Sequence, residues 1–359
     1  MEINSVFFRI TLKGNGIVNF DGDSQKFTLI KKCGVQFPTN SDQKAVDSLQ
    51  LGKKNFYTDE DGNVTYKPKI SANCLRHEIF QVIQHSGVFR REMETCDFLS
   101  RIPVLLRGWM AKYQNDTIIN HSSCIRITDA EVINGAMPEL EIGSTCGDKT
   151  FNPTSLFYTE TMGKTVYECL GAIDFKTLEF LSCDPIFSRM AFKEDWIKGE
   201  APTLDIMFKN HYGRVPYKVG YFMPVETCLN ETFAEHGIKF DADFVKEMIR
   251  LFFVRILNLR ITRANAYAET VKVEIKRVEN AFQQTLNSPD DWEEVTMDNL
   301  DSMLNFEPKT YYMELPEDKV QACKDRYAQI YQELSDAYDK RREKKAEEKK
   351  ARSSKKSQE

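Results

Sequence analysis

The stretch "SVFFRITLKGNGIVNF", residues 5–20, decides the fold class, because alternating side chains run straight into a turn. Every second residue from Val6 to Leu12 is apolar and falls on one side of an extended chain, which is the period-two pattern of a half-buried strand. The pair Asn15-Gly16 then favours the positive backbone angles of a tight hairpin. The chain therefore opens with strand, turn and strand, and predicts an N-terminal β-sheet.

The residues that follow continue the sheet and then form a helix. Residues 27–32 and 55–67 are β-rich, and the second stretch contains the turn residues "DGN". Pro68 holds the residue before it extended, and Ser71 is a good helix N-cap. Because apolar residues recur at helical spacing behind that cap, the pattern predicts a helix over 71–86.

The later part of the chain repeats this alternation of strands and helices. Residues 122–133 alternate like the first strand, and residues 164–175 return to strand after the polar excursion 134–163, whose length predicts a protruding loop or hairpin. A strongly apolar helix is predicted over 243–260, and residues 265–275 close as a strand. This order is compatible with an antiparallel β-α-β-β-α-β sheet and therefore with an α+β fold.

Composition excludes several classes of protein. Of the 359 residues, 41% are hydrophobic and 29% charged, as in a globular chain, and no stretch approaches the roughly 20 apolar residues of a membrane span. The N-terminus lacks the parts of a secretory signal, so we expect a cytoplasmic protein. The nine cysteines are scattered without a C-x-x-C pair, which favours reduced thiols over disulfides or a zinc ribbon.

Charge is unevenly distributed along the chain. The formal net charge is −5, yet residues 340–359 contain ten Lys or Arg and four acidic residues, an excess of +6 that leaves −11 on the first 339 residues. Any nucleic-acid contact in the body must therefore be a confined stripe of cations and not a globally positive surface. The basic tail is most simply a disordered end.

Catalytic and metal-binding motifs are incomplete. "HEIFQ" at 77–81 opens like the zinc-protease H-E-x-x-H but has glutamine where the second histidine must be. Cys74 and His77 have metal-ligand spacing without a second pair, so a buried thiol is the better interpretation. Asp129 and Glu131 share one face of a predicted strand, as an acid–base pair would, but strand surfaces carry such pairs routinely. We predict no enzymatic activity, no metal and no cofactor.

Residues 67–80, "KPKISANCLRHEIF", contain the residue types that bind a nucleic-acid backbone. Two lysines lead into a helix N-terminus with exposed amides, and Asn73, Arg76 and His77 form one polar strip of that helix. A solvated polar face is the alternative interpretation, since amphipathic helices usually have one.

Two later stretches have similar chemistry. Arg260 and Arg263 follow the second helix, where they offer phosphate contacts or simply complement the helix dipole. The excursion 134–163 mixes cations with aromatic residues that suit stacking on bases, although a loop aromatic more often anchors local packing.

Together these features resemble the RAMP-superfamily backbone subunits of multi-subunit, Cascade-like CRISPR effector complexes, and are closest in character to the variant type I-F and type IV systems. The resemblance covers roughly residues 5–275. It is carried by "VFFRITLKGNGIV", "PKISANCLRHEIF", "LLRGWM" and the block 127–182, where strand, long excursion and returning strands follow the family order.

The resemblance implies a modified RNA-recognition-motif palm, a ferredoxin-like α+β fold, with a helical insertion and a thumb hairpin. The implied boundaries are a palm over 1–275 with a helical insertion at 87–121, a thumb at 135–165 and a second insertion at 186–214, then a helical C-terminal extension over 276–339 and a charged disordered tail over 340–359.

The resemblance also implies a function. Such subunits stack head to tail along a guide crRNA without cutting it and hold it for pairing with a target strand. The implied partners are the crRNA, target DNA or RNA through the heteroduplex, further copies of the chain and other effector subunits, with no membrane. The implied RNA contacts in palm, insertion and thumb are Lys13, Lys67, Lys69, Ser71, Asn73, Arg76, His77, Arg107, Lys149, Phe157, Tyr158, Lys164, Arg260 and Arg263.

Two alternatives stay open at this point. One is an RNA-processing endonuclease of the same superfamily, for which His77 and His121 are the candidate catalytic residues. The other is a structural protein that oligomerises without RNA and uses a helix at 316–350 as a partner-binding arm.

Overall fold

The computed structural model describes the chain in stretches separated by gaps. The described residues are 2–16, 18–21, 51–52, 54–58, 61–62, 64–80, 99–112, 118–135, 139–145, 156–184, 190–225, 234–263, 266–278, 291–326, 328–330, 332–333, 336–337 and 340. The strand predicted at 27–32, the candidate contact Lys149 and nearly all of the charged tail lie outside these residues.

The described elements are mostly strands, with two longer helices among them. The strands are β1 (Glu2–Ile3), β2 (Ser5–Asn15), β3 (Phe20–Asp21), β4 (Leu51–Gly52), β5 (Lys54–Thr58), β6 (Val64–Ile70), β7 (Trp109–Lys112), β8 (Ile118–His121), β9 (Ile125–Ile127), β10 (Ala130–Gly135), β11 (Glu139–Thr145), β12 (Leu156–Met162), β13 (Lys164–Asp174), β14 (Phe180–Ser182), β15 (Tyr217–Pro224), β16 (Glu235–Phe240), β17 (Arg260–Arg263), β18 (Ala266–Val278), β19 (Glu293–Val295), β20 (Glu307–Pro308) and β21 (Tyr312–Glu314). The helices are α1 (Ala72–Ile79), α2 (Ile102–Arg107), α3 (Phe175–Glu179), α4 (Glu194–Tyr212), α5 (Ala242–Leu257) and α6 (Leu300–Met303).

The main sheet has the strand order β17-β18-β2-β13-β10-β6-β5, with β9 also on β13 and β19 also on β18. Its four principal strands, in chain order, are β2, β10, β13 and β18, and α1 follows the first while α5 follows the third. Across the sheet they lie in the order β18, β2, β13, β10, which is 4-1-3-2 in chain order. Each adjacent pair is antiparallel. This is the ferredoxin-like β-α-β-β-α-β arrangement, so the predicted α+β palm is confirmed.

One face of this sheet packs against α5 and forms the core. The alternating residues of β2 from Val6 to Leu12 are fully buried, as the sequence predicts. Phe8 contacts Phe252 of α5 with ring centroids 5.0 Å apart. Burying one such side chain contributes roughly 1.5–3 kcal/mol. Because one face is occupied by helices, the residues between, such as Arg9, belong to the opposite face, which we call the open face.

A second, four-stranded sheet lies beside the palm, in the order β14-β16-β15-β21. Phe180 ties it together by stacking on Tyr312 at 4.3 Å. The second insertion, predicted at 186–214, contains α4, whose Phe208 packs edge-on against Phe244 of α5 at 5.6 Å. Within the described part of the chain, no helix is both long and apolar enough to cross a membrane.

The prediction of a tight hairpin at Asn15-Gly16 is wrong. β2 lies between β13 and β18 along its whole length, so both of its edges are used by long partners and no following strand can pair with it. Gly16 does adopt a positive φ of 77°, but its amide donates to the carbonyl of Gly163, 3.0 Å away. The residues after it form β3, which pairs with β4.

Two predicted helical regions are helical only in part. In the insertion 87–121, Gly108 ends α2 with a φ of 74°, and the chain continues as the β7–β8 hairpin. In the extension 276–339, β18 runs to Val278, and β19 and β21 then pair with the exposed edges of β18 and β15. Unpaired strand edges need hydrogen-bonding partners, which explains strands where a helix was expected. The C-terminal helix begins at 317.

Candidate nucleic-acid interface

Helix α1 presents the polar strip that the sequence predicts. Leu75 and Ile79 are buried against the core, whereas Asn73 is exposed and Arg76 and His77 are half-buried. Residues three and four apart on a helix are neighbours, so the three polar side chains follow one side of α1. Ser71 caps the helix, because its Oγ accepts a hydrogen bond from the Cys74 amide at 3.3 Å.

The first amides of α1 are not open to phosphate, which corrects the expectation of an exposed helix N-terminus. The Ser71 amide donates to Asn19 Oδ1 and the Ala72 amide donates to Asp129 Oδ1, both at 2.8 Å. Asp129 lies at the irregularity between β9 and β10, where an extra residue turns its side chain toward α1. An internal carboxylate therefore occupies the place predicted for an RNA phosphate.

Arg76 and Arg107 bring two positive charges together. Arg76 Nη2 donates to the carbonyl of Arg107 at 3.0 Å, where α2 ends. Partial burial, and after it the positive charge of Arg107, lower the pKa of Arg76 from its ordinary value. Among the described residues, neither guanidinium is ion-paired to a carboxylate. An anion between them would relieve this repulsion and accept charge-assisted hydrogen bonds.

Arg263 reaches α1 from a distant part of the sequence. Its Nη2 donates to Glu78 Oε1 at 2.8 Å, and His77 Nδ1 lies 3.4 Å from the same oxygen. The Glu78 side chain is only 3% exposed, so its carboxylate holds Arg263 against the helix. We call the surface formed by Arg107, Arg76, His77 and Arg263 the cationic strip.

The lysines of the 67–80 stretch lie elsewhere, on the open face. Lys69 Nζ lies 2.7 Å from Asp129 Oδ2 and 2.6 Å from Asn55 Oδ1. Glu131 accepts hydrogen bonds from Asn55 and Tyr57. We call these five residues the polar cluster. The charge of Lys69 is therefore offset within the protein, and its side chain is 17% exposed.

Burial and the hydrogen bond to Glu131 raise the pKa of Tyr57 from its ordinary value, so this hydroxyl keeps its proton. Lys67 is exposed and its ammonium lies 5.7 Å from the centre of the Tyr57 ring. At the edge of the polar cluster, the Lys67 ammonium and the Tyr57 ring are thus exposed to solvent.

The other predicted cations are also on or near the open face. Lys13 is exposed on β2 and lies opposite Glu269 of the neighbouring strand β18. Arg260 Nε of β17 lies 3.9 Å from Glu269 Oε2. Arg260 also lies 5.7 Å from the Tyr267 ring centre. Lys164 is exposed at the start of β13. Arg260 and Arg263, predicted as one group, thus lie on opposite faces of the sheet.

The predicted thumb at 135–165 contains an antiparallel hairpin of β11 and β12. Its register sets Gly143 opposite Tyr158 and Ser144 opposite Phe157. The positions of Phe157 and Tyr158 are therefore fixed at the backbone level, on adjacent residues of β12. Lys149 falls in the part of the loop outside the described residues.

Of the two histidines considered for a nuclease mechanism, His121 lies in the core and His77 is half-buried on α1. His121 is 6% exposed and packs against the tilted ring of Trp109, with ring centroids 4.7 Å apart. Burial lowers the pKa of His121 to about 4, so the imidazole is neutral near pH 7 and out of reach of an RNA hydroxyl. No group of three or more His, Cys, Asp or Glu side chains in the described residues is placed to hold a metal ion.

Sequence reasoning missed Glu78, Asn19 and Asn55. For Glu78 a signal existed: it lies on the buried side of α1 with Leu75 and Ile79, and a carboxylate at such a position indicates a cationic partner. The roles of Asn19 and Asn55 depend on contacts with residues 52 and 76 positions away, and no local pattern predicts them.

Comparison with known proteins gives one strong match. The sequence profile of the family described as "Type I-Fv CRISPR-associated protein Cas7fv-like" matches residues 2–294. No curated protein sequence matches the chain.

Solved structures give only a distant likeness. A "CRISPR RNA-guided surveillance complex" chain is 9% identical over 76% of this chain and 68% of its own, with a TM-score of 0.37. A pre-nicking form of such a complex is 8% identical over 76% and 75%, also at 0.37. A type III-B Cmr-β complex bound to cognate target RNA is 10% identical over 57% and 53%, at 0.25. These TM-scores are too low to support a conclusion.

Proposed function

This chain belongs to the Cas7fv-like family of type I-Fv CRISPR-associated proteins, and from that premise we propose which of its surfaces grips the guide RNA. The match confirms the resemblance to RAMP-superfamily backbone subunits and favours that function over a processing nuclease. We propose that the cationic strip binds consecutive phosphates of the crRNA backbone, with Arg76 and Arg107 sharing one phosphate.

The adjacency of Arg76 and Arg107 carries this proposal. The Arg76 guanidinium is held at the backbone carbonyl of Arg107, and the positive charge of Arg107 contributes to its lowered pKa. With neither side chain ion-paired to a carboxylate among the described residues, the two form a site that favours an anion. Guanidinium groups match phosphate oxygens in geometry and keep their charge, so they suit a backbone contact that ignores base sequence. Asn73 and His77 extend the same side of α1 as hydrogen-bonding groups, and Ser71 adds a hydroxyl at the helix N-terminus.

Arg263 supplies a further contact, but a weaker one. Glu78 already offsets its charge, although 45% of the Arg263 side chain stays exposed and can share the guanidinium with a phosphate. On the open face, Lys13, Lys67, Lys164 and Arg260 are assigned to contacts with neighbouring subunits.

We assign the β11–β12 hairpin to the thumb, with Phe157, Tyr158 and Lys149 reaching a base or backbone of the neighbouring segment. Copies then repeat head to tail along the guide, and the heteroduplex with the target strand provides the sequence specificity. Repetition multiplies modest contacts, so each subunit can be acidic overall. Backbone subunits of this kind are structural, and we assign no reaction, metal or cofactor to the chain.

Co-expression with a guide RNA tests the cationic strip. We expect the variant Arg76→Glu/Arg107→Glu to lose nearly all copurified RNA, measured by absorbance ratio and gel, because both charges at the phosphate are reversed. The matched control Lys13→Glu/Arg260→Glu reverses two exposed cations of the open face and should keep most of its RNA. Circular dichroism checks that both variants fold.

A milder variant covers the case in which Arg76→Glu disturbs α1. Arg107→Gln keeps the carbonyl that Arg76 contacts and removes one charge, so the fold is retained while RNA affinity falls about tenfold. Retention of RNA by the folded double variant, or equal losses in the strip and open-face variants, would overturn the assignment of the strip.

A further inference from the structure

The carboxyl end of α2, where Arg107 lies, is bound by side chains from the link between β8 and β9. Ser123 Oγ lies 3.0 Å from the carbonyl oxygen of Leu106. Cys124 Sγ donates to the carbonyl of Leu105 at 3.2 Å. The last four carbonyls of a helix lack partners within it, so these two side chains supply hydrogen bonds that α2 itself cannot make.

The link is in turn fixed to the main sheet. Cys124 is fully buried, and its carbonyl accepts a hydrogen bond from the Asp174 amide at 2.8 Å. The next residue begins β9, which pairs with β13. Ser123 Oγ also accepts from the Ile125 amide at 3.2 Å, which restricts its rotamer. The Ser123–Cys124 pair therefore connects the end of α2 to a rigid part of the palm.

Gly108 makes this close contact possible. It follows α2 with a φ of 74°, a backbone conformation that other residues rarely adopt. A Cβ atom at this position would lie 2.3 Å from the His121 carbonyl oxygen and 2.6 Å from the Ser123 amide nitrogen. A larger residue would push the end of α2 away from the link, so the backbone itself is shaped for this contact.

The position of this helix end determines where both guanidiniums of the phosphate site lie. Arg107 is the last residue of α2, and its carbonyl accepts from Arg76 Nη2 at 3.0 Å. A helix of six residues is too short to be stable alone, so its last turn depends on partners outside it. The two side chains also repel each other, since the charge of Arg107 contributes, after burial, to the lowered pKa of Arg76. They stay close because the backbone between them is held.

We propose that Ser123, together with Cys124, is a positioning residue for RNA binding: the pair holds the end of α2 so that Arg76 and Arg107 are in place before a phosphate arrives. The inference rests on the proposed binding of crRNA phosphates by the cationic strip. Binding groups that are held in advance lose less conformational entropy when the ligand binds, so the pair raises RNA affinity without touching RNA. The alternative is that the pair only stabilises the fold.

Two substitutions of Ser123 test the proposal in the full-length protein, with guide RNA affinity measured by fluorescence anisotropy. Ser123→Ala removes the hydroxyl and should weaken RNA binding about threefold, in keeping with the loss of one hydrogen bond. Ser123→Thr keeps the hydroxyl and should bind as wild type does. Adding Cys124→Val to Ser123→Ala should bring the loss to about tenfold, the value expected for Arg107→Gln.

A matched control separates positioning from stability. Thr270 Oγ1 donates to the carbonyl of Ile256 near the end of α5 at 2.7 Å, so Thr270→Val removes the same kind of bond from another helix end. Urea unfolding should show a similar fall in midpoint for Thr270→Val and Ser123→Ala, whereas RNA affinity should fall only in Ser123→Ala. Equal losses of affinity in the two variants would mean that RNA binding follows stability alone, and would overturn the proposal.

A double-mutant cycle shows whether Ser123 acts through Arg107. If it does, Ser123→Ala combined with Arg107→Gln should lose about tenfold in affinity and not the roughly thirtyfold product of the two single losses. A combined loss equal to that product would reject the positioning role, because the two residues would then act independently.

The same measurements distinguish failure of this inference from failure of the proposed function. Weaker binding in Arg107→Gln with none in Ser123→Ala rejects the positioning role and leaves the cationic strip as the phosphate site. Unchanged RNA binding in Arg107→Gln and in the Arg76→Glu/Arg107→Glu variant rejects the strip itself, and with it this inference.

Discussion

The cationic strip and the polar cluster both contain cations that the sequence offers for RNA binding, but their charges are used differently. In the strip, Arg76 donates to the backbone carbonyl of Arg107, and neither side chain is ion-paired to a carboxylate among the described residues. In the cluster, Lys69 is held by Asp129 at 2.7 Å and is largely covered. A cation that is already paired gains little from a phosphate, since it must first give up its partner.

The difference teaches that a cation's neighbours decide its role more than its position in a motif. Lys69 and Arg76 are seven residues apart in one basic stretch, yet Lys69 stabilises the junction between β6 and α1 while Arg76 faces outward beside Arg107. We therefore propose the strip as the binding surface, whereas the polar cluster holds α1 in place.

The largest expected effect is the loss of stability at low pH caused by a buried histidine next to the strip. His121 ends β8 below Arg107, and burial lowers its pKa to about 4 from an ordinary value of 6.5. A buried base with a lowered pKa is fully stabilising above 6.5, and its contribution is lost as the pH falls toward 4, because the unfolded chain binds the proton first. The loss amounts to about 3 kcal/mol.

Urea unfolding of wild type and His121→Phe at pH 7.5 and pH 4 measures this contribution. Wild type should lose about 3 kcal/mol more than the variant over this interval, because only wild type has this titrating group. Equal losses in both proteins would mean that His121 does not stay neutral in the fold, and that the strip has no acid-sensitive support.

Asp129 distinguishes support from binding. Asp129→Ala leaves the Ala72 amide and the Lys69 ammonium without their acceptor, so the free energy of unfolding should fall by about 2 kcal/mol. Glu131→Gln removes a charge from the same cluster without touching α1 and serves as the control. RNA affinity of the folded variants, measured by fluorescence anisotropy, should stay within twofold of wild type. Tighter binding by both would place RNA on the open face and break the comparison.

The sequence predicted the architecture well, because hydrophobic alternation and helix caps are local signals. Val6 to Leu12 and the helix after Ser71 appear as expected, and the order of strands and helices leads to the palm. The sequence also identified Arg76 as a candidate, since helical spacing shows it on a polar strip, whereas Arg107 was expected only from the family resemblance.

Their environment was not predictable in the same way. Arg263 and Glu78 are 185 residues apart, so their contact is a product of the tertiary fold. The opposite facing of Arg260 and Arg263 had a local cause that the sequence reasoning missed: the residues form strand β17, not a helix end, and side chains three apart on a strand point to opposite faces.

Glu78 tests, within the cationic strip itself, whether a carboxylate partner reduces the RNA binding of a cation. Glu78→Gln keeps a hydrogen-bond acceptor for Arg263 but removes the buried negative charge, so stability should fall by about 1 kcal/mol. The freed charge of Arg263 should tighten RNA binding about threefold at low salt. Glu269→Gln, which releases Arg260 on the open face, is the matched control and should leave the affinity unchanged. Equally tighter RNA binding in both variants would show that RNA contacts both faces of the sheet.

The smallest effect is a change in salt dependence. Each phosphate contact on a single strand contributes about 0.7 to the slope of log affinity against log salt concentration. Arg107→Gln should therefore reduce this slope by about 0.7, whereas Arg260→Gln should leave it unchanged, because Arg260 is already shared with Glu269 and the Tyr267 ring. Anisotropy titrations at four salt concentrations give both slopes. The number of counterions released on binding equals the number of protein charges that contact phosphates, so the slope reports which cations bind RNA. A reduced slope for Arg260→Gln and an unchanged slope for Arg107→Gln would therefore reverse the roles of the two surfaces.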